Sequence, residues 1–132
     1  MIVKFEATTL VEELVTDQTP QYLHVGMADA EGHYLAFHRV QPFDDDEDWG
    51  IYVEVNDQDF SGYGRIDNCD LSPARLVVQF TEPLGGEGQV VGVEVNFVPD
   101  HRPSTAFVAR LKSVFTGSES LLKVTHGGPE AR

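Results

Sequence analysis

Apolar residues in this chain recur at every second position through most of its length, and only one stretch changes to helical spacing. In residues 21–28, Leu23, Val25 and Met27 fall on one side and Tyr22, His24 and Gly26 on the other. Ile51, Val53 and Val55 alternate with Tyr52, Glu54 and Asn56, and over residues 89–98 Val91, Val93, Val95 and Phe97 alternate with Gly92, Glu94 and Asn96. Side chains alternate across a strand, so each such stretch has one face for a core and one for its surroundings. After Pro99 the period changes: Phe107, Val108, Leu111, Val114 and Phe115 recur at three to four, with Arg110 and Lys112 off that line. The pattern predicts an α+β fold, an antiparallel sheet of about six or seven strands packed on one face by a C-terminal α-helix over residues 101–116. Phe107, Leu111 and Phe115 are expected to bury against Val91, Val93, Val95 or Phe97.

The connections follow from turn chemistry. Residues 1–7 read as a strand, while residues 10–15 stay open between strand and a short helical turn. Asp29-Ala30-Glu31-Gly32 joins residues 21–28 to the return strand at 34–40 as a hairpin. Asn56-Asp57-Gln58-Asp59 reads as a further turn, and Gly62 and Gly64 bracket Tyr63 as glycines do at a bulge or at a close approach of another backbone; a bulge would re-aim that ring. Asp100 or Ser104 suits the helix N-cap and Gly117 its C-terminal end. Residues 1–117 are expected to form one domain, and 118–132 a short, partly flexible C-terminal extension in which 121–124 can add a last strand. A chain of 132 residues supports one core, burying roughly 65–70% of its unfolded surface.

The formal net charge is −13, and it is unevenly placed: residues 1–101 hold 20 acids and 4 bases, residues 102–132 hold 2 acids and 5 bases. Such a field repels phosphate backbones and anionic headgroups and speeds encounter with a basic partner. Neither nucleic acid nor a membrane is therefore expected as a partner. No apolar run approaches the ~20 residues that cross a bilayer, and the N-terminus lacks signal-peptide order, so the expected compartment is the cytoplasm. Cys69 is the single cysteine and can form no internal disulfide.

A catalytic site needs a nucleophile with a base, a metal set or a carboxylate pair in a cleft. The chain has no G-x-S-x-G, H-E-x-x-H, C-x-x-C or phosphate-binding glycine loop. His24 and His38 can face each other across the first hairpin, but two imidazoles without a third ligand or an orienting group define no site. No enzyme activity, cofactor or metal is expected. Asp44-Asp45-Asp46-Glu47-Asp48 lacks the ligand spacing, glycine and closing glutamate of an EF-hand. The run reads as a solvated loop or as the electrostatic part of a partner contact, and Trp49 or Tyr63 as its aromatic anchor. The candidate partner-binding residues are Asp44, Asp45, Asp46, Glu47, Asp48, Trp49, Tyr52, Glu54 and Tyr63.

The succession Tyr34-Leu35-Ala36-Phe37-His38-Arg39, an acidic linker with Pro42, Gly50-Ile51-Tyr52-Val53-Glu54-Val55, Ser61-Gly62-Tyr63-Gly64-Arg65-Ile66 and Leu71-Ser72-Pro73-Ala74-Arg75-Leu76 resembles the Imm10 group of bacterial immunity proteins. The resemblance covers most of residues 1–116. It implies a protein that binds and neutralises a cognate toxin domain of a bacterial polymorphic toxin system and is not itself an enzyme. Such a partner, if it acts on nucleic acid, would carry a basic face that an acidic inhibitor could meet. The residues alone leave two other readings: a small acidic ligand-binding or regulatory module with no toxin partner, and a metal-dependent enzyme built on the histidines or the acidic cluster. They do not define the oligomeric state.

Overall fold

The computed structural model describes residues 1–41, 50–85 and 89–125. Among these, the chain forms strands β1 (Ile2–Ala7), β2 (Thr9–Val15), β3 (Gln21–Ala28), β4 (Tyr34–Gln41), β5 (Tyr52–Val55), β6 (Asp57–Tyr63), β7 (Ile66–Leu71), β8 (Arg75–Leu84) and β9 (Val90–Phe97), then helix α1 (Thr105–Val114) and strand β10 (Leu122–Val124). The strands make two five-stranded sheets, ordered β1-β9-β8-β7-β10 and β2-β3-β4-β5-β6. This replaces the single sheet of six or seven strands read from the sequence. It is also not wholly antiparallel, since β1 runs parallel to β9 and β10 parallel to β7. Alternation records that a strand has one buried face; it does not record which strand lies beside it. The chain changes sheet at Thr8, between β1 and β2, where no glycine or proline marks the passage.

The apolar sides of both sheets meet in one core: Val3, Phe5 and Ala7 from β1, Leu23, Val25 and Met27 from β3, Leu35 and Phe37 from β4, Val53 and Val55 from β5, Leu76 and Val78 from β8, Val93, Val95 and Phe97 from β9. In β9 the alternation slips, with Val90 buried and Val91 41% exposed. The β8–β9 register shifts between Gln79 and Leu84, and this irregularity turns Val91 outward, away from the helix-facing role expected of it.

Helix α1 packs on β2, β3 and β4 rather than on β9. The two sheets cover one another's apolar faces, so the helix closes one margin of the core instead of roofing a sheet. Ser104 Oγ accepts from the Phe107 backbone N–H at 3.0 Å and caps the N-terminus. Arg110 Nε donates to Glu12 Oε1 on β2 at 3.0 Å. At the far end Arg39, buried on β4, donates Nη1 to the Val114 carbonyl at 3.0 Å, satisfying one of the acceptors that a helix leaves open at its C-terminus. Phe115 meets Phe37 edge-on with centroids 6.0 Å apart.

Residues 10–15 are strand throughout. The expected four-residue turn at 56–59 shrinks to Asn56, which takes φ 62°, and β6 begins at Asp57. Asn56 Oδ1 accepts from the Tyr34 N–H at 2.9 Å, which fixes that corner. The bulge lies here, between Glu54 and Val55, not at Gly62–Gly64. Gly64, at φ +65°, turns the chain out of β6 instead, and its N–H donates to the Ile51 carbonyl at 3.2 Å. Gly50 comes so close that a Cβ there would stand 3.3 Å from Gly64 N. The acidic run Asp44–Asp48, Trp49 and Pro42 lie outside the described residues.

Candidate functional site: an aromatic and histidine row on one sheet

The two sheets present different outer faces. On β1-β9-β8-β7-β10 the outward positions across one row are Lys4, Glu94, Val77, Asp70 and Lys123, a mixed and solvated set. On β2-β3-β4-β5-β6 the register places Glu13, His24, His38, Tyr52 and Tyr63 in one row crossing all five strands. The adjoining row is Val11, Gly26, Ala36, Glu54 and Ser61. Ring centroids lie 4.7 Å apart for His24–His38, 4.7 Å for Tyr22–His38, 5.3 Å for His38–Tyr52 and 5.2 Å for Tyr52–Tyr63. Such spacings are those of packed aromatic pairs. Small residues in the second row make the packing possible: the His24 ring leans over Gly26, where an added Cβ would stand 3.2 Å from Nε2.

His24 Nδ1 and His38 Nε2 are 2.7 Å apart, a hydrogen bond in which one neutral ring donates and the other accepts. Burial pushes the His38 pKa down to about 4, the neighbouring His24 adding to the shift and Glu54 opposing it. Burial also lowers His24, against the pull of Glu13. The pair is therefore uncharged at neutral pH. Beside it, the Tyr34 and Tyr52 hydroxyls donate to the two oxygens of the Glu54 carboxylate, Oε2 and Oε1. Burial first, then the hydrogen bond to Glu54, raises both phenols, so they remain donors.

Among the described residues the face is the outer surface of a sheet. Its imidazoles are spent on each other. Among the described residues, Asp29, Glu31 and His33 bring one potential ligand atom each within 4.8 Å of one another. The Asp29 carboxylate, however, accepts from the backbone N–H groups of Glu31 and His33, both at 2.9 Å, and pairs with His33 Nδ1 at 2.6 Å. Those bonds shape the β3–β4 loop, and His33 further stacks on Phe5. A groove of about 500 Å³ between β2 and the start of α1, lined by Leu10, Glu12, His101 and Phe107, has its carboxylate engaged by Arg110.

Of the candidate residues named from sequence, Tyr52, Glu54 and Tyr63 come together on this face. Asp44, Asp45, Asp46, Glu47, Asp48 and Trp49 fall outside the described residues. Tyr22, His24, Tyr34 and His38 belong to the same cluster and were not singled out as partner-binding. Tyr22 and His24 stand on the polar side of their alternation, and the hairpin already set His24 opposite His38; residues 34–40 carry apolar side chains on both faces, so parity did not mark Tyr34 or His38. Joining them to Tyr52 required the β4–β5 pairing, which alternation does not carry.

The row is half-buried at His24, His38 and Tyr52 and exposed at Tyr63. The sequence model of one family, Immunity protein 10, matches residues 10–97, two thirds of the chain, and the chain belongs to that family. The matched span includes every residue of the row and its Glu54 neighbour, and leaves out β1, α1 and β10. No curated protein and no solved structure matches this chain. No helix among the described residues is long and apolar enough to cross a membrane.

Proposed function

We propose that this protein binds and neutralises a cognate toxin domain of a polymorphic toxin system, without turnover of its own, through the outer face of β2-β3-β4-β5-β6. Membership of the immunity protein 10 family carries the reading. The aromatic row supports the choice of face: Tyr63 is 50% exposed and lies against Tyr52, and tyrosines of this kind dominate binding energy when a partner covers them. The acid of residues 44–48, which the sequence puts between β4 and β5, would steer a toxin with a basic face toward this protein.

Co-expression with the toxin encoded by the adjacent gene tests this. The expected outcome is a stable complex on co-purification and restored growth of toxin-expressing cells. A toxin that stays active and unbound beside excess protein would overturn the reading.

A further inference from the structure

Glu54 is a half-buried carboxylate in the middle of β5, and no Lys or Arg among the described residues pairs with it; the described ion pairs join His33 to Asp29, Arg65 to Glu82 and Arg110 to Glu12. Its only described hydrogen bonds come from two neutral phenols, one on each oxygen. A carboxylate offers about four lone-pair sites, so about two remain. Tyr52 reaches it through its hydroxyl, and the His38 and Tyr63 rings flank Tyr52 in the adjoining row. The neighbouring histidines share a hydrogen bond with each other, and neither supplies a cation at neutral pH.

We infer that Glu54 with the Tyr52 and Tyr63 rings is a receptor for an arginine side chain of the protein partner, its guanidinium forked on the carboxylate and stacked on the tyrosines. Charge complementarity selects a cation, since Glu54 is an acidic side chain with no Lys or Arg partner among the described residues. Geometry selects arginine over lysine, because a planar fork can use two remaining lone pairs and a ring face together, whereas an ammonium is a hydrated point charge. The phenol hydroxyls hold the acceptor in place before the partner arrives, and this lowers the ordering cost of docking. The inference rests on the proposed toxin-binding face but not on the toxin's identity.

The site can be probed without the toxin. The full-length protein is titrated with N-ethylguanidinium chloride, and separately with n-butylammonium chloride at matched ionic strength, while NMR follows the ring signals of Tyr52, Tyr63 and His38. Expected are saturable shifts of these rings with guanidinium, about fivefold or more weaker saturation with ammonium, and loss of the guanidinium response in Glu54→Gln. Tyr63→Ala, at a position 50% exposed, should weaken the guanidinium response about threefold or more. Unsaturable drift spread evenly over exposed acids, equal responses to both cations, or an unchanged response in both variants would overturn the inference. Guanidinium binding that persists in a protein to which the toxin does not bind would sink the toxin reading alone. A toxin complex insensitive to Glu54→Gln would sink the arginine receptor alone.

Discussion

His38 shows how one ring ties stability to the state of the face. Its pKa in the folded protein is about 4, against 6.5 for an unperturbed histidine. The unfolded chain therefore takes up the proton first as pH falls. The contribution of this ring is fully present above about pH 6.5 and is lost as pH drops toward 4. Urea midpoints measured between pH 7 and pH 4.5 should fall, and fall less steeply in His38→Phe; parallel curves would contradict the neutral pair. Arg39 carries a different burden. Replacing it with Met keeps much of the volume but leaves the Val114 carbonyl without its charged donor, a loss of about 2–3 kcal/mol by chemical denaturation. Tyr63→Ala, exposed at the edge strand, should cost under about 1 kcal/mol by the same measurement. An equal cost at both positions would remove the distinction between the residue that holds the helix and the residue proposed to meet a partner.

Helix α1 is the element most plainly written in the sequence. Phe107, Leu111 and Val114 are buried as the 3.6-residue spacing required, and Ser104 caps the first turn. Leu111→Ala should cost about 2–5 kcal/mol and Ser104→Ala about 1 kcal/mol, read from thermal or urea midpoints; a Leu111 variant as stable as wild type would mean that the helix does not hold the core. What the helix packs on was not legible. Its partners β2, β3 and β4 lie far from it in sequence, and the facing apolar sides of Val93, Val95 and Phe97 were equally available until the second sheet was known to cover them. The site divides in the same way. Tyr52, Glu54 and Tyr63 could be named from polar parity and from glycines around Tyr63. That His24, His38, Tyr52 and Tyr63 make one row depends on two strand pairings whose register is set by long-range packing and by the irregularity at Glu54–Val55. Short-range pattern says which side of a strand is wet; only the assembled sheet says what stands next to what.

At the scale of the whole molecule, the net charge of −13 and the aromatic row would have separable roles in the proposed complex. Long-range field governs encounter, while buried rings govern how long a complex lasts. Neutralising Asp44, Asp45, Asp46, Glu47 and Asp48 together to their amides should slow association with the toxin and flatten its dependence on salt, leaving dissociation nearly unchanged. The solvated-loop alternative predicts no change in either rate. The most direct test of the account compares dissociation of the toxin complex for two single substitutions on opposite outer faces, Tyr63→Ala on β6 and Gln79→Ala on β8, by surface-immobilised kinetics. If the toxin is held by the aromatic row, Tyr63→Ala raises the dissociation rate about tenfold or more while Gln79→Ala stays near wild type. A wild-type rate for Tyr63→Ala together with rapid release by Gln79→Ala would place the contact on the other sheet and contradict the account.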